Sequence, residues 1–398
     1  MDEIEFRDVN RELKKIGMED IEALKSKVKG TLLYREIEGY DESRMIWNGM
    51  IDNFPSLILE CENVDDVIKG FNFARENQIK ISIRSGGHNV AGNAIKEKAL
   101  VMVLSEINSL RVDKEKRIAQ VDAGATLGDI DKETQKYGLA TPLGLVSDTG
   151  VAGLAIRGGI GHLMRQFGLT CDNILSIDLI TYEGNLIKVK KNNFPDIFWA
   201  LRGGSIDIGV IVSFTFKLYP IGPEVLFYFQ FFPIEQAKKA LSFLRDYIKE
   251  APRELGLLAF YATLPDEDRV PEIIRDKDLF VLYGIYTGSE ENHQMILDSF
   301  KKVDEPLIDL GGIVTYKEAQ KALDEDYPEG MRYYWKSLYL EELSDEIIEV
   351  IHNLGTNRPS PLSTLDICFM GGKIQDVNTA ATAFNRRDAN YMLGFESN

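Results

Sequence analysis

The 398-residue chain has no run of about eighteen apolar residues, the length a membrane-spanning helix needs. Its opening, MDEIEFRDVNRELKKIG, is charged from the second residue, so it lacks the apolar core of a secretory signal. No membrane partner and a cytoplasmic location are expected on these two counts. Cysteine is scarce. Cys61, Cys171 and Cys368 are odd in number and far apart, so they form neither a disulfide framework nor a zinc site; buried free thiols and no bound metal are expected. Basic residues are outnumbered, 46 against 63 acids, for a formal net charge of -17, and no basic stripe carries interleaved aromatics. Nucleic acid is a poor partner for such a surface.

What remains is ordinary globular composition, 44% hydrophobic and 27% charged, in a length that suits two domains. Helix-like periodicity marks Val9–Ile16 and Ile21–Val28, before the turn-rich MIWNGMIDNFP. From Ser56 onward, short β-branched runs (SLILEC, KISIRSG, ALVMVL, RIAQVDAG) are interspersed with the helix candidate NVDDVIKGFNFARENQ, whose Asn63, Asp65 and Asp66 suit a helix start. NILSIDLITYEG and IGVIVSFTFKLYP, separated by the helical DIFWALRGG, form a second strand group. Past Val225 the order strand, helix, strand, strand, helix predicts an antiparallel sheet covered by helices. The fold class read from this order is α+β.

Two glycine-rich segments carry the functional signal. IRSGGHNVAGNAI follows a strand, and Gly86 and Gly87 let its backbone turn tightly and approach a ligand, with successive amides forming a nest for a diphosphate. His88 stands inside that loop, where an imidazole donates to phosphate or attacks an electrophilic methyl on a cofactor. About sixty residues later, SDTGVAGLAIRGGIGHLMRQFGLTCDN holds five glycines between Gly150 and Gly161, a density that suits a second backbone surface against a flat ligand. The chain has GGIG and GVAG but not the G-x-G-x-x-G register of a Rossmann turn, which makes NAD the weaker cofactor.

With WNGMID, RSGGHNVAG, VDAGATLGDID, VSDTGVAGL, GGIG, FGLTCDN, PDIFWALRGG, MRYYWKSLYL and ATAFNRRDANY, the sequence resembles the flavin-linked oxidases with a PCMH-type FAD-binding domain, in the berberine-bridge-enzyme-like branch. The resemblance implies an FAD-binding unit over 1–220, joined by 374–398, and a substrate-binding unit over 221–373. It implies FAD held by Arg84, Ser85, Gly86, Gly87, His88, Asn89 and Gly92 around the diphosphate. Ser147, Thr149, Gly150, Gly153, Gly158, Gly159, Gly161, His162, Asn173 and Ile177 complete that expected set along the flavin. His88 matches the histidine that bonds to the 8α carbon of the flavin. Where many members have a second, cysteine tether this chain has Val146, so a single tether is expected and Cys171 is read as structural.

The chain departs from the pattern at RGGSIDIG, where RGGGGNFG is usual, and at Arg157, where glycine is usual. Relatives also continue past NRRDANY into a segment with a catalytic tyrosine. For proton transfer the sequence leaves Asp376, Tyr334 and Lys336 as candidates, the last two sharing a strand face by alternation. The activity implied is oxidation of a small hydroxylated molecule or sugar, with hydride passing to flavin N5 and dioxygen as acceptor. Flavin binding without turnover is the rival reading, and a reductase-type relative with the same FAD domain is a third. A homo-oligomer stays open.

Overall fold

The computed structural model describes residues 2–398. In the first unit, three parallel strands, Leu57–Glu60, Leu100–Val103 and Ile81–Arg84, are joined on one edge by the antiparallel Thr31–Leu33. The helix Val64–Asn77 makes the crossover between the first two chain-consecutive parallel strands, capped where expected: Asn63 accepts from the amide of Asp66. A second sheet of five antiparallel strands follows, in the order Leu186–Val189, Ile174–Thr181, Gly209–Lys217, Ile118–Asp122, Leu110–Asp113.

The N-terminus corrects one expectation. Glu3–Arg7 and Leu13–Gly17 form a hairpin, so Val9–Ile16 is turn and strand, and only Met18–Lys25 is helical. Asp8 closes the turn by accepting from the amides of Asn10 and Glu12, a local bond that competes with helix. Alternation then puts Ile4, Phe6 and Ile16 in the core.

The second unit is an eight-stranded sheet built on Glu224–Pro233, Asp278–Tyr286, Leu255–Thr263, Thr364–Phe369, Tyr391–Ser397 and Tyr334–Leu340, neighbours in that order. Its two faces are sorted by the period of two. Leu257, Leu282, Ile367 and Leu393 meet the helices Ala237–Glu250, His293–Phe300 and Asp345–Thr356. Leu258, Tyr283 and Cys368 instead join one buried cluster with Val121, Ile177 and Phe214 of the first unit. The segment expected to join the first unit divides: Arg387 and Phe384 pack on it, whereas Tyr391–Ser397 enters the large sheet. No helix among the described residues is long and apolar enough to cross a membrane.

Candidate active site

The strand Ile81–Arg84 delivers the first glycine loop, and the helix Val151–Ala155 begins just after Gly150 in the second. The two loops touch backbone to backbone. A Cβ on Gly86 would lie 2.3 Å from the Gly150 nitrogen, and one on Gly150 would lie 2.2 Å from that of Gly86. Only glycine at both positions allows this approach, and Gly87 turns the chain with φ +79°. Side chains brace the contact: Ser85 Oγ donates to Ala123 O at 2.6 Å, Arg84 donates to Met45 O at 3.0 Å, and Asn89 Oδ1 accepts from the Asn93 amide. On the other loop Ser147 donates twice to Asp324 of the second unit, from its amide at 2.7 Å and its hydroxyl at 2.6 Å.

His88 lies two residues after Gly86, and Asp148 two before Gly150, so the backbone contact brings them together. His88 Nε2 is 3.2 Å from Asp148 Oδ1. The imidazole also stacks on Trp47, centroids 5.1 Å apart and planes at 19°. Trp47 in turn lies parallel to Tyr333 at 3.7 Å and donates its indole N–H to Tyr327 O. Asn48 ties these pieces together, donating to Val90 O and Tyr333 O while accepting from the Tyr333 amide. Tethering the His88 loop thus draws on both units.

The remaining expected residues fall into two groups. Thr149 accepts from the Leu127 amide through its carbonyl, and Gly153 faces free space where a side chain would stand. Gly158, Gly159 and Gly161 are instead close-packed: a Cβ there would meet Phe384, Thr170 and the Leu143 carbonyl, so chain packing alone demands glycine. Gly92 is likewise crowded by Ile51 at φ +68°. His162 is buried beside the Tyr283 hydroxyl at 3.3 Å, and burial drives its imidazole down to about 3, so it is neutral. Asn173 bonds Phe167 O, Leu169 O and Tyr219, and Ile177 is core.

Of the proton-transfer candidates, Asp376 makes a two-point ion pair with Arg253 at the rim of a separate cleft of about 620 Å³. Its carboxyl is held below the ordinary range by the Arg253 bond. Tyr334 and Lys336 are exposed and pair with each other, cation over ring at 5.2 Å, on the strand face opposite Trp335. No hydrogen bond or ring contact among the described residues joins any of the three to the glycine loops.

The sheet face toward the first unit holds two acids that sequence reading passed over. Thr364 pairs with Glu396 and Asp366 with Gly394, so Thr364, Asp366 and Glu396 share that face with Cys368 and Trp335. Trp335 packs edge-on against Trp47 at 5.1 Å, which links the acids to the His88 stack. Burial raises both carboxyls, and the neighbouring Asp366 pushes Glu396 further up. Asp366 Oδ1, Glu396 Oε2 and Thr364 Oγ1 are out of solvent without a partner. The available signal was alternation in TLDICF, where Asp366 interrupts an apolar strand.

Residues 55–190 match the FAD binding domain family model. An FAD-linked oxidoreductase of Dictyostelium discoideum is 32% identical over 375 residues, 93% of this chain and 79% of that one. The chain belongs to the FAD-linked oxidoreductases. (R)-6-hydroxynicotine oxidase of Paenarthrobacter nicotinovorans is 33% identical over 248 residues, 62% of this chain and 54% of that one. In fold, this oxidoreductase superposes on a berberine-bridge-enzyme-like protein of Physcomitrella patens with a TM-score of 0.84 at 20% identity, covering 95% of this chain and 83% of the other. Glucooligosaccharide oxidase of Acremonium strictum, a protein with 6-S-cysteinyl, 8α-N1-histidyl FAD, gives a TM-score of 0.83 at 20% identity over 95% and 81% of the chains. The residues of this oxidoreductase fit the cofactor: an exposed, side-chain-free Gly86, a left-handed Gly87, and Gly153 open to space make a backbone cradle.

Proposed function

We propose that this oxidoreductase is an oxidase or dehydrogenase of a small hydroxylated molecule or sugar, with FAD bonded once, through His88, and dioxygen as acceptor. The observation that carries this reading is the Gly86–Gly150 contact, which gathers a histidine and a side-chain-free cradle at the seam facing a second sheet. When bound, FAD supplies the acceptor for a hydride from the substrate carbon. Arg84, Ser85, Gly86, Gly87, Asn89, Ser147, Thr149, Gly150 and Gly153 would hold it. Val146, in the place of a second tethering cysteine, supports the single bond.

The proton of the substrate hydroxyl needs a base. Asp366 and Glu396 suit that role better than Asp376, Tyr334 or Lys336, because two adjacent buried carboxyls share one proton and keep one acceptor at neutral pH. We place its action in the cytoplasm.

The test is to denature the purified protein in acid and ask by mass whether flavin stays on the His88 peptide, then to screen alcohols and sugars for bleaching of the flavin absorbance. Flavin released entirely to the supernatant overturns the tether. A tethered flavin bleached by no hydroxylated compound overturns the substrate class and leaves flavin binding without turnover.

A further inference from the structure

We infer that Asp148 is the positioning residue that makes His88 a nucleophile at Nδ1 for attachment of the flavin, an inference that rests on the His88 tether proposed above. An imidazole attacks through an unprotonated nitrogen, so which nitrogen keeps the proton decides which one bonds. Asp148 Oδ1 stands 3.2 Å from Nε2, where a carboxylate holds a proton. A proton kept there leaves the lone pair on Nδ1.

The plane of the ring is fixed independently. Trp47 covers one face of the imidazole, and Trp47 itself is held by its stack on Tyr333 and its bond to Tyr327 O. Tautomer and plane are therefore set by two different contacts. The placement is also written into the chain, since Asp148 and His88 sit at equal offsets from the two glycines whose backbones abut.

On attachment, a bond forms between His88 Nδ1 and a methyl carbon of the isoalloxazine edge, one C–H bond of that methyl breaks, and its hydrogen leaves as a proton. The imidazole gains positive charge and releases the Nε2 proton toward Asp148. The two electrons of the broken bond pass through the ring system to dioxygen, which with the two protons becomes hydrogen peroxide. Asp148 acts by orienting the ring and by stabilising the charge that grows on it, the role of a carboxylate behind a reacting histidine.

Flavin-free protein from riboflavin-limited cells, mixed with FAD, gives two separate readouts: noncovalent binding, and the growth of acid-stable flavin with time. Asp148→Asn should bind FAD normally yet attach it at least about tenfold more slowly, and Asp148→Glu should recover most of the rate. Asp148→Asn attaching at the wild-type rate overturns the inference, as does a loss of FAD binding that matches the loss of attachment. Wild-type protein with no acid-stable flavin instead overturns the His88 tether itself, and His88→Ala, which should bind FAD and attach none, marks that baseline.

Discussion

Gln320 donates through Nε2 to Asp131 Oδ2 at 3.1 Å, and this bond crosses the seam between the two units. Asp131 is buried, its other oxygen has no partner, and burial pushes its carboxyl up to about 7. In the unfolded chain the group ionises at about 3.9. Between these values the native state holds a proton the unfolded state has lost, so stability falls as pH rises from about 4 to about 7. Asp131→Asn should remove that fall and gain stability above pH 7, by an amount of order 4 kcal/mol at most. Denaturant melts of both proteins from pH 4 to 8 check this; parallel curves would refute it.

His162 has the opposite sign. Its imidazole stays neutral in the fold down to about 3 while the unfolded one protonates at about 6.5, so stability is lost as pH drops through that window. His162→Gln should flatten the acid side of the stability profile relative to wild type, measured by the same melts. An unchanged acid slope would show that the native imidazole takes up its proton near the ordinary value.

Arg387 and Asp172 form a buried pair at 2.6 Å, with Arg387 also donating to Thr382 and Ile374 O. Replacing the arginine leaves a buried carboxylate alone. Arg387→Met should cost about 3–5 kcal/mol in urea unfolding. A loss under about 1 kcal/mol would place the pair among weakly contributing surface bridges.

Gly150→Ala drives a Cβ into backbone that has no side-chain freedom to give way. Overpacking of that kind costs about 1–3 kcal/mol, and bound flavin per chain should fall with it. Gly153→Ala is the control, because nothing stands within 4 Å of its Cβ, and its melting should stay within about 0.5 kcal/mol. Equal melting of the two variants would show that the glycine contact contributes nothing.

Asp366→Asn and Glu396→Gln test the proposed base. Since both carboxyls are raised by burial, turnover should weaken on the acid side as the shared anion is protonated. Each variant should lower kcat by about 10²–10⁴ with flavin content intact. An acid limb of kcat/KM that survives in the double variant would assign the base elsewhere.

Much of the fold is legible in the sequence, for identifiable reasons. Asn63 and the acids after it announce a helix start, and the apolar runs from Ser56 to Lys217 are long enough to be read as strands. Val9–Ile16 misleads because spacing in so short a stretch fits two periods, and the side chain of Asp8 decides between them. Gly86 and Gly87 signal close approach, and the fold brings Gly150 against them. Gly158, Gly159 and Gly161 signal the same thing, but what approaches them is protein. Asp366 and Glu396 stay hidden because their meeting depends on strand register between distant segments, which no local pattern encodes.

Gly256 shows what the shared core means for motion. A Cβ there would stand 2.2 Å from the His162 carbonyl, so the large sheet and the first unit are seated without room to slide. Heating should then give one calorimetric transition for the whole chain in place of two.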